Sequence, residues 1–247
     1  MSDRRKPEGS LPHFDEYPRP ALAVDPVLLE VSDSKLRVAL RKRDVEPHKG
    51  AWGLPGVFVN LGETLEQAVE RAVTTKCGIS APTYVEQLFT WDMPGRDSRG
   101  WVVVVAFTVV VEPGTLDQSV AELPDVCVGD VSVEWQGEEG GDVSAILDGQ
   151  RLSLAFDHEQ ILGAAVKRLR GRLRYTPLAM EFLPATFTLR ELQTVYEAIL
   201  GTELNKDSFR RHVVQTMGFA ESTGRAQEGV SHRPAELYRR ASIDSAS

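Results

Sequence analysis

LPGVFVNLGETLEQAVERAVTTKCGI, residues 54–79, is the stretch on which the architecture of the N-terminal part of the chain depends. Thr64 followed by Gln67 is a capping box, a pattern with which many helices begin. Apolar side chains then recur at helical spacing: Leu65, Ala68, Val69, Ala72 and Val73. The stretch therefore predicts a loop followed by an amphipathic helix. Gly56 would let the loop backbone approach an anion, which a helix N-terminus also favours.

This stretch resembles the Nudix box, whose pattern is Gly, five residues, Glu, seven residues, Arg-Glu-hydrophobic-x-Glu-Glu-x-Gly-hydrophobic. Matching residues are Glu63, Arg71, Val73, Gly78 and Ile79, whereas Val57 replaces the first Gly. The three other Glu positions hold Ala72, Thr75 and Lys76. Their i, i+3, i+4 spacing predicts one helix face, which in the family binds Mg²⁺. We therefore expect no metal site and very weak or absent hydrolysis by the usual route.

Glu63 and Arg71 are kept as candidate ligand-binding residues together with Gly56, although a structural ion pair is the simpler interpretation. Arg41 and Arg43 end a predicted strand, where alternation predicts that both project from one face. They could bind a ligand phosphate, and a solvated strand end is an equal alternative.

Arg96, Asp97 and Arg99 lie in the polar loop DMPGRDSRG, directly before an apolar strand. Guanidinium groups suit phosphates, and a carboxylate can accept hydrogen bonds from ribose hydroxyls. The RDSRG sequence resembles the RDPRG sequence of one Nudix subgroup. These three residues are therefore candidate ligand-binding residues, with a solvated loop containing an internal salt bridge as the alternative.

Strands and helices alternate through the N-terminal part, which predicts an α/β domain. Predicted strands include ALAVDPVLLEV, LRVALRKR, the extended stretch around 84–91, the run ending at Val111, and VSVEW. The Nudix resemblance implies an α/β/α sandwich. We place this domain at residues 19–155, after a polar arm at residues 1–18 that is predicted to be disordered. Residues 156–175 are predicted to form a linking helix.

The C-terminal part, residues 176–247, has the pattern of a winged helix-turn-helix. A second capping box, Thr188 with Glu191, opens a helix that Gly201 ends. After a short turn, DSFRRHVVQTMGF predicts a second helix capped by Asp207 or Ser208, and a glycine-containing hairpin follows. The candidate DNA-binding residues are Lys206, Ser208, Arg210, Arg211 and Gln215 on the helix and Arg225 and Arg233 in the wing. A helical packing or dimerisation domain is the alternative.

The charge distribution favours DNA binding. The whole chain has a net charge of −8, but residues 165–247 carry 13 Lys and Arg against 9 Asp and Glu, whereas residues 1–164 carry 15 against 27. A basic C-terminal module beside an acidic N-terminal part indicates that the C-terminal module binds an anionic polymer. A solvated surface that binds no partner would have the same imbalance.

Two features bear on location. The longest apolar run is too short to cross a bilayer. Cys77 and Cys127 lack nearby metal-ligating partners, and with no recognised export signal we expect reduced thiols in the cytoplasm, with association with the nucleoid when DNA is bound. We expect no membrane partner.

The order of these parts resembles the Nudix-related transcriptional regulator of NAD metabolism. The phrases RDSRG, LAFDHEQIL, FTLRELQTVYEAILG, SFRRHVV and RPAELYRR carry the resemblance. It implies a homodimeric repressor of NAD biosynthesis or salvage genes that binds operator DNA. It also implies an effector nucleotide, ADP-ribose or NAD, and no required cofactor. The alternatives are an active Nudix hydrolase of ADP-ribose-type substrates with an accessory domain, and a protein-interaction module.

Overall fold

A computed structural model describes residues 17–135, 141–229 and 233–241 of the chain. The predicted arm at residues 1–18 thus lies almost entirely outside the described residues. None of the described helices combines the length and the hydropathy that a bilayer span requires.

Nine strands form one mixed sheet in the N-terminal part. They are β1 (Ala21–Ser32), β2 (Lys35–Lys42), β3 (Trp52–Gly53), β4 (Val57–Phe58), β5 (Tyr84–Trp91), β6 (Val102–Val110), β7 (Val126–Val133), β8 (Val143–Leu147) and β9 (Gln150–Arg151). The strand order is β5-β6-β1-β2-β7-β8-β9, with β3 on β2 and β4 on β1. β1 runs parallel to β6, from Ala21 opposite Val102 to Leu29 opposite Val110. β1 pairs with β2 in the antiparallel sense.

Helices cover both faces of this sheet. Helices α1 (Leu65–Cys77) and α2 (Thr115–Glu122) pack with Val24, Leu28 and Val105 on one face. Helix α3 (His158–Arg172) packs on the other face of the sheet. Side chains alternate along a strand, so the positions next to those that contact α1 and α2 point toward this second face. The predicted α/β/α sandwich is confirmed. Helix α2 was not predicted: it begins after Gly114, at φ 86°, without a side-chain cap.

Helix α1 begins and ends as predicted. The Thr64 hydroxyl accepts from the Gln67 amide, and the Gln67 side chain accepts from the Thr64 amide at 2.9 Å. Gly78 ends the helix in the left-handed conformation. Of the three positions predicted to share one face of this helix, Ala72 is fully buried, whereas Thr75 is exposed.

The C-terminal part confirms the predicted winged helix. A 3₁₀ helix (Leu178–Phe182) leads to β10 (Phe187–Thr188), α4 (Leu189–Leu200), α5 (Lys206–Arg210) with a π-helical continuation (Arg211–Thr216), β11 (Ala220–Ala226) and β12 (Glu236–Arg240). The last strands form an antiparallel sheet in the order β10-β12-β11. The capping box at Thr188 and the stop at Gly201 are both present.

The predicted cap of the second helix was wrong. Asn205 caps α5, because its side-chain oxygen accepts from the Ser208 amide at 3.0 Å. Asp207 and Ser208 instead lie inside the first turn and are exposed. The end of the predicted hairpin that contains residues 230–232 lies outside the described residues.

The two parts share a hydrophobic core. One continuous cluster contains Val38 of the sheet, Leu169 of α3 and Tyr196 of α4. Helix α3 occupies most of the predicted linking segment and therefore packs against both the sheet and the winged helix.

Candidate functional site

Five of the predicted ligand-binding residues meet in one cleft between β1, the loop at residues 92–100 and the start of α3. We call it the Asp25 cleft; its volume is about 90 Å³. It is lined by Ala23, Asp25, Arg43, Leu54, Gly56, Val57, Phe58, Arg96, Asp97, Arg99, Val102, Val104, Phe156 and His158. The volume accommodates a fragment of a ligand such as a phosphate or a ribose, so a larger nucleotide would extend beyond it.

Arg96 ties the loop to helix α3. Its Nε donates to Asp157 Oδ2 at 2.9 Å, and a second guanidinium nitrogen donates to Asp157 Oδ1. The Arg96 side chain is only 6% exposed, and its Nη2 lies 3.8 Å from Asp25 Oδ2. A buried guanidinium between two carboxylates fixes their relative positions, because removing Arg96 would leave both carboxylates without their counter-charge.

His158 adds a directional contact to the Asp25 cleft. The Leu54 amide donates to Nδ1 at 2.9 Å, so Nδ1 carries the lone pair and the proton of the neutral ring is on Nε2. Nε2 lies 3.4 Å from Asp25 Oδ2. The approach requires Gly53, because a Cβ there would lie 2.8 Å from Nδ1. From sequence, His158 has no neighbours that indicate a site; the structure places it beside Asp25.

Asp97 and Arg99 form the internal ion pair that was the alternative interpretation of the loop. The Arg99 amide donates to Asp97 Oδ1 at 2.9 Å, and Arg99 Nη2 donates to Oδ2 at 2.7 Å. The hydrogen bond from Arg99 lowers the pKa of the Asp97 carboxyl. The Arg99 guanidinium also lies 5.6 Å from the centre of the Phe58 ring. Because its side chain is 44% exposed, Arg99 remains available at the mouth of the cleft.

Arg43 lies near Arg99, and the two positive charges repel each other. Burial first, and then the charge of Arg99, lower the pKa of the Arg43 guanidinium. The group is held over the Phe156 ring at 4.7 Å and donates to the Pro47 carbonyl at 2.8 Å. An anion between the two guanidiniums would relieve this repulsion. The Asp25 cleft therefore combines three guanidiniums, of Arg43, Arg96 and Arg99, with the carboxylates of Asp25 and Asp97.

Arg41 does not belong to this cleft. Its guanidinium donates to the Lys76 carbonyl at the end of α1 at 3.0 Å and pairs with Asp125. The expectation that Arg41 and Arg43 project together was wrong. Strand β2 ends at Lys42, so the alternation of side chains does not extend to Arg43.

Glu63 and Arg71 form the predicted structural ion pair. Arg71 donates to the two carboxylate oxygens of Glu63 at 2.6 and 2.7 Å and to the Phe58 carbonyl at 2.8 Å. The Asn60 amide also donates to Glu63. The pair fixes the loop before α1, and neither residue lines the Asp25 cleft.

Titration of Glu63 tests this ion pair. The hydrogen bonds from Arg71, and then from the Asn60 amide, lower the pKa of Glu63 from 4.5 to about 2. A carboxyl with a lowered folded-state pKa stabilises the fold above its unfolded pKa, and this contribution disappears as the pH falls through the folded pKa. We expect the Glu63 carboxyl resonance to titrate near pH 2 by NMR, and at a higher pH in Arg71→Met, where only the hydrogen bond from the Asn60 amide remains to lower the pKa. A wild-type midpoint near pH 4.5 would show that the pair does not form.

The positions that replace the Nudix glutamates offer no carboxylate. The Thr75 hydroxyl donates back to the Arg71 carbonyl at 2.7 Å, and Lys76 carries a positive charge. Within the described ranges, no group of three or more His, Cys, Asp and Glu side chains is placed to hold a metal ion.

The second helix of the winged helix presents a basic surface. Phe209 and Val213 are buried. The predicted DNA-binding residues all lie at exposed positions: Lys206, Ser208, Arg210, Arg211, Gln215, Arg225 and Arg233.

Arg210 differs from the others because it contacts the wing. Its Nη2 donates to the Tyr238 hydroxyl at 3.2 Å and lies 3.9 Å from Glu236 Oε2. Arg211 and Gln215 have no such contact among the described residues. They lie in the π-helical segment, where the Met217 amide donates to the His212 carbonyl at 2.9 Å. Irregular turns of this kind are frequent at functional sites.

Comparison with known proteins identifies both parts of the chain. A family model described as the NrtR DNA-binding winged helix domain matches residues 179–240. The chain is 34% identical over 226 residues to the ADPR responsive transcriptional repressor NtrR of Acinetobacter baylyi, covering 91% of this chain and 83% of that protein. It is 33% identical over 146 residues to an ADP-ribose pyrophosphatase of Methanocaldococcus jannaschii, covering 59% of this chain and 73% of that protein.

A solved structure matches the whole arrangement. The crystal structure of Shewanella oneidensis NrtR complexed with a 27mer DNA is 35% identical and superimposes with a TM-score of 0.73. The match covers 89% of this chain and 93% of that chain. The likeness therefore spans the sandwich, helix α3 and the winged helix together.

Proposed function

We propose that this chain, which belongs to the NrtR family of transcriptional repressors, binds operator DNA and releases it when its N-terminal domain binds ADP-ribose. The observation that carries this proposal is the match over 91% of the chain to an ADPR responsive repressor, because it includes both the cleft and the winged helix. The resemblance to regulators of NAD metabolism makes NAD biosynthesis or salvage genes the proposed targets.

DNA binding is assigned to the second helix of the winged helix. In helix-turn-helix proteins this helix enters the major groove, where side chains contact base edges. We assign base contacts to Arg211 and Gln215, since both are exposed and neither is held by the wing. Lys206 and Ser208 at the helix start, with Arg225 and Arg233 in the wing, would contact phosphates. Arg210 would act mainly by holding the wing through Tyr238.

Nucleotide binding is assigned to the Asp25 cleft. The repelling guanidiniums of Arg43 and Arg99 would hold a phosphate of the diphosphate between them. Gly56 lets the loop pack closely against Asp25, and Asp97 could accept from a ribose hydroxyl. Glu63 and Arg71 would contribute by fixing the loop, without touching the ligand. Arg41 would support the end of α1.

We also propose that the protein acts as a homodimer, since paired recognition helices would read two half-sites one helical turn apart. ADP-ribose would then act by favouring one arrangement of the two subunits. Light scattering after size-exclusion chromatography tests the dimer: a mass of one chain at the concentrations that bind DNA would exclude it.

The decisive experiment is a titration of labelled promoter duplex by fluorescence anisotropy, repeated with ADP-ribose, NAD and ATP. We expect sequence-specific, salt-dependent binding that ADP-ribose weakens. Binding that no nucleotide weakens would exclude the sensor function while leaving DNA binding. Absence of specific binding to any fragment selected from genomic DNA would exclude the repressor function altogether.

The likeness to an ADP-ribose pyrophosphatase makes hydrolysis a second function to test. We expect no Mg²⁺-dependent cleavage of ADP-ribose above the rate without protein, because Ala72, Thr75 and Lys76 supply no ligands for the metal. Chromatographic detection of AMP measures the reaction. The control is Glu63→Gln, because cleavage that this substitution removes would indicate a real active site and support the hydrolase.

A further inference from the structure

Helix α3 reaches both functional parts of the molecule. At its start, Asp157 holds Arg96 and His158 lies beside Asp25, so the first turn forms one wall of the Asp25 cleft. At its end, α3 packs against α4 of the winged helix, where the Tyr196 hydroxyl donates to the Leu173 carbonyl at 3.3 Å. A rigid helix with these two ends can carry a displacement from one site to the other.

Arg170 makes the most specific contact at the second end. It lies in the last turns of α3 and is only 1% exposed. Its Nε donates to the Ile199 carbonyl at 2.8 Å, and its Nη1 donates to the Trp135 carbonyl at 2.8 Å. The guanidinium also lies 4.9 Å from the centre of the Trp135 ring. One buried side chain therefore joins α3, the segment after β7 and the last turn of α4.

The α4 contact lies immediately before the DNA-binding helix. Ile199 belongs to the last turn of α4, and Gly201 ends that helix in the left-handed conformation. A Cβ on Gly201 would lie 3.1 Å from Arg170 Nη2, so the turn passes close to the guanidinium. Asn205 caps α5 a few residues later. Arg170 thus holds the end of α4 at the turn from which α5 begins, so a shift of Arg170 would change the orientation of α5.

We infer that Arg170 is the positioning residue that couples occupancy of the Asp25 cleft to the orientation of the DNA-binding helix. A phosphate bound between Arg43 and Arg99 also attracts the Arg96 guanidinium, which lines the same cleft, and so competes with Asp157 for Arg96 and loosens the contact that holds the start of α3. The resulting shift of α3 reaches the end of α4 through the Arg170 hydrogen bond to Ile199. This inference rests on the proposed function and names the contact through which it operates.

The test compares Arg170→Lys with Lys167→Met in the full-length protein. Lysine keeps the charge but lacks the planar guanidinium that reaches two carbonyls. Lys167 lies exposed one turn earlier on α3 and serves as the matched control. We expect wild type and Lys167→Met to lose at least about tenfold in DNA affinity on saturation with ADP-ribose, and Arg170→Lys to lose under about threefold. ADP-ribose affinity without DNA, measured by calorimetry, should stay within about twofold, since the coupling and not the cleft is changed.

The coupling between the two ligands is reciprocal, which provides a second measurement. A purely structural role of Arg170 would leave this measurement unchanged. Within each protein, DNA should weaken ADP-ribose binding by the same factor by which ADP-ribose weakens DNA binding. In Arg170→Lys both of these factors should be smaller than in wild type. Equal coupling in Arg170→Lys and wild type would overturn the inference. If wild type binds DNA but ADP-ribose does not release it, the proposed function fails first, and the two failures are thereby distinguished.

Hydrogen exchange on the wild type keeps the inference testable if Arg170→Lys does not fold. ADP-ribose should increase exchange of the Gly201 amide, which donates to the Glu197 carbonyl at 2.8 Å, and of amides in residues 202–205. Exchange in this turn that is unchanged by saturating ADP-ribose would overturn the inference.

Discussion

Gly56→Ala should abolish ADP-ribose binding and destabilise the N-terminal domain. A Cβ at this position would lie 1.9 Å from Asp25 Oδ1 and 3.0 Å from the Val24 carbonyl. Asp25 is buried between Arg96 and His158, so it cannot move without breaking both contacts. Overpacking of this kind costs about 1–3 kcal/mol in the free energy of unfolding. Urea unfolding and calorimetric titration with ADP-ribose measure the two effects.

Gly62→Ala is the matched control for this prediction. Gly62 adopts φ 82° in the same loop, but a Cβ there meets nothing within 4 Å. Gly62→Ala should lower the free energy of unfolding only by the cost of an alanine in the left-handed conformation, about 1–2 kcal/mol. ADP-ribose binding should be retained. If Gly56→Ala binds ADP-ribose as well as Gly62→Ala does, the proposed cleft is wrong.

Arg211→Ala should produce the largest loss of operator affinity among single substitutions in the winged helix. Arg211 is exposed on the DNA-binding helix, and it forms no ion pair among the described residues that would hold it elsewhere. Loss of one good base contact costs about 1–3 kcal/mol, or roughly 5- to 150-fold in affinity. In a dimer the substitution removes the contact from both half-sites. Anisotropy titrations with operator and unrelated duplex measure affinity and specificity together.

Two substitutions bracket the expected result. Lys49→Ala removes an exposed cation from the N-terminal domain and should leave DNA affinity unchanged. Arg210→Ala should weaken operator and unrelated duplexes by similar factors, because Arg210 contacts the wing through Tyr238. If Arg211→Ala weakens both duplexes equally, it contacts phosphate and not bases.

Local signals made the main helices predictable. The capping boxes at Thr64 and Thr188 involve residues three positions apart, and both form as the sequence indicates. Helix α2 has no such signal: Gly114 supplies no side-chain cap, and the stretch is short and acidic. The cap of α5 was predicted at the wrong residue because Asn205, Asp207 and Ser208 are all good capping residues. The helix begins at Lys206, which makes Asn205 the cap.

The candidate site was only partly predictable for a different reason. Arg96, Asp97 and Arg99 are adjacent in sequence, so their common chemistry could be recognised directly. Asp25 and His158 are far apart in the chain and meet because β1 and the start of α3 are neighbours in space. Asp25 also stands inside an apolar strand, where nothing local indicates a partner. The LAFDHEQIL sequence contributes to the resemblance, but nothing in the sequence around it indicates a role for Asp157 or His158.

The parallel pairing of β1 with β6 has a consequence for how the molecule folds. β1 meets β2 through a short turn, but its other long neighbour, β6, is synthesised only after α1 and β5. Contacts between distant segments slow folding, because a long loop must close first. The winged-helix sheet instead closes within residues 187–240. The winged-helix sheet should therefore form earlier in refolding than the parallel pairing of β1 with β6, although both finally share one core.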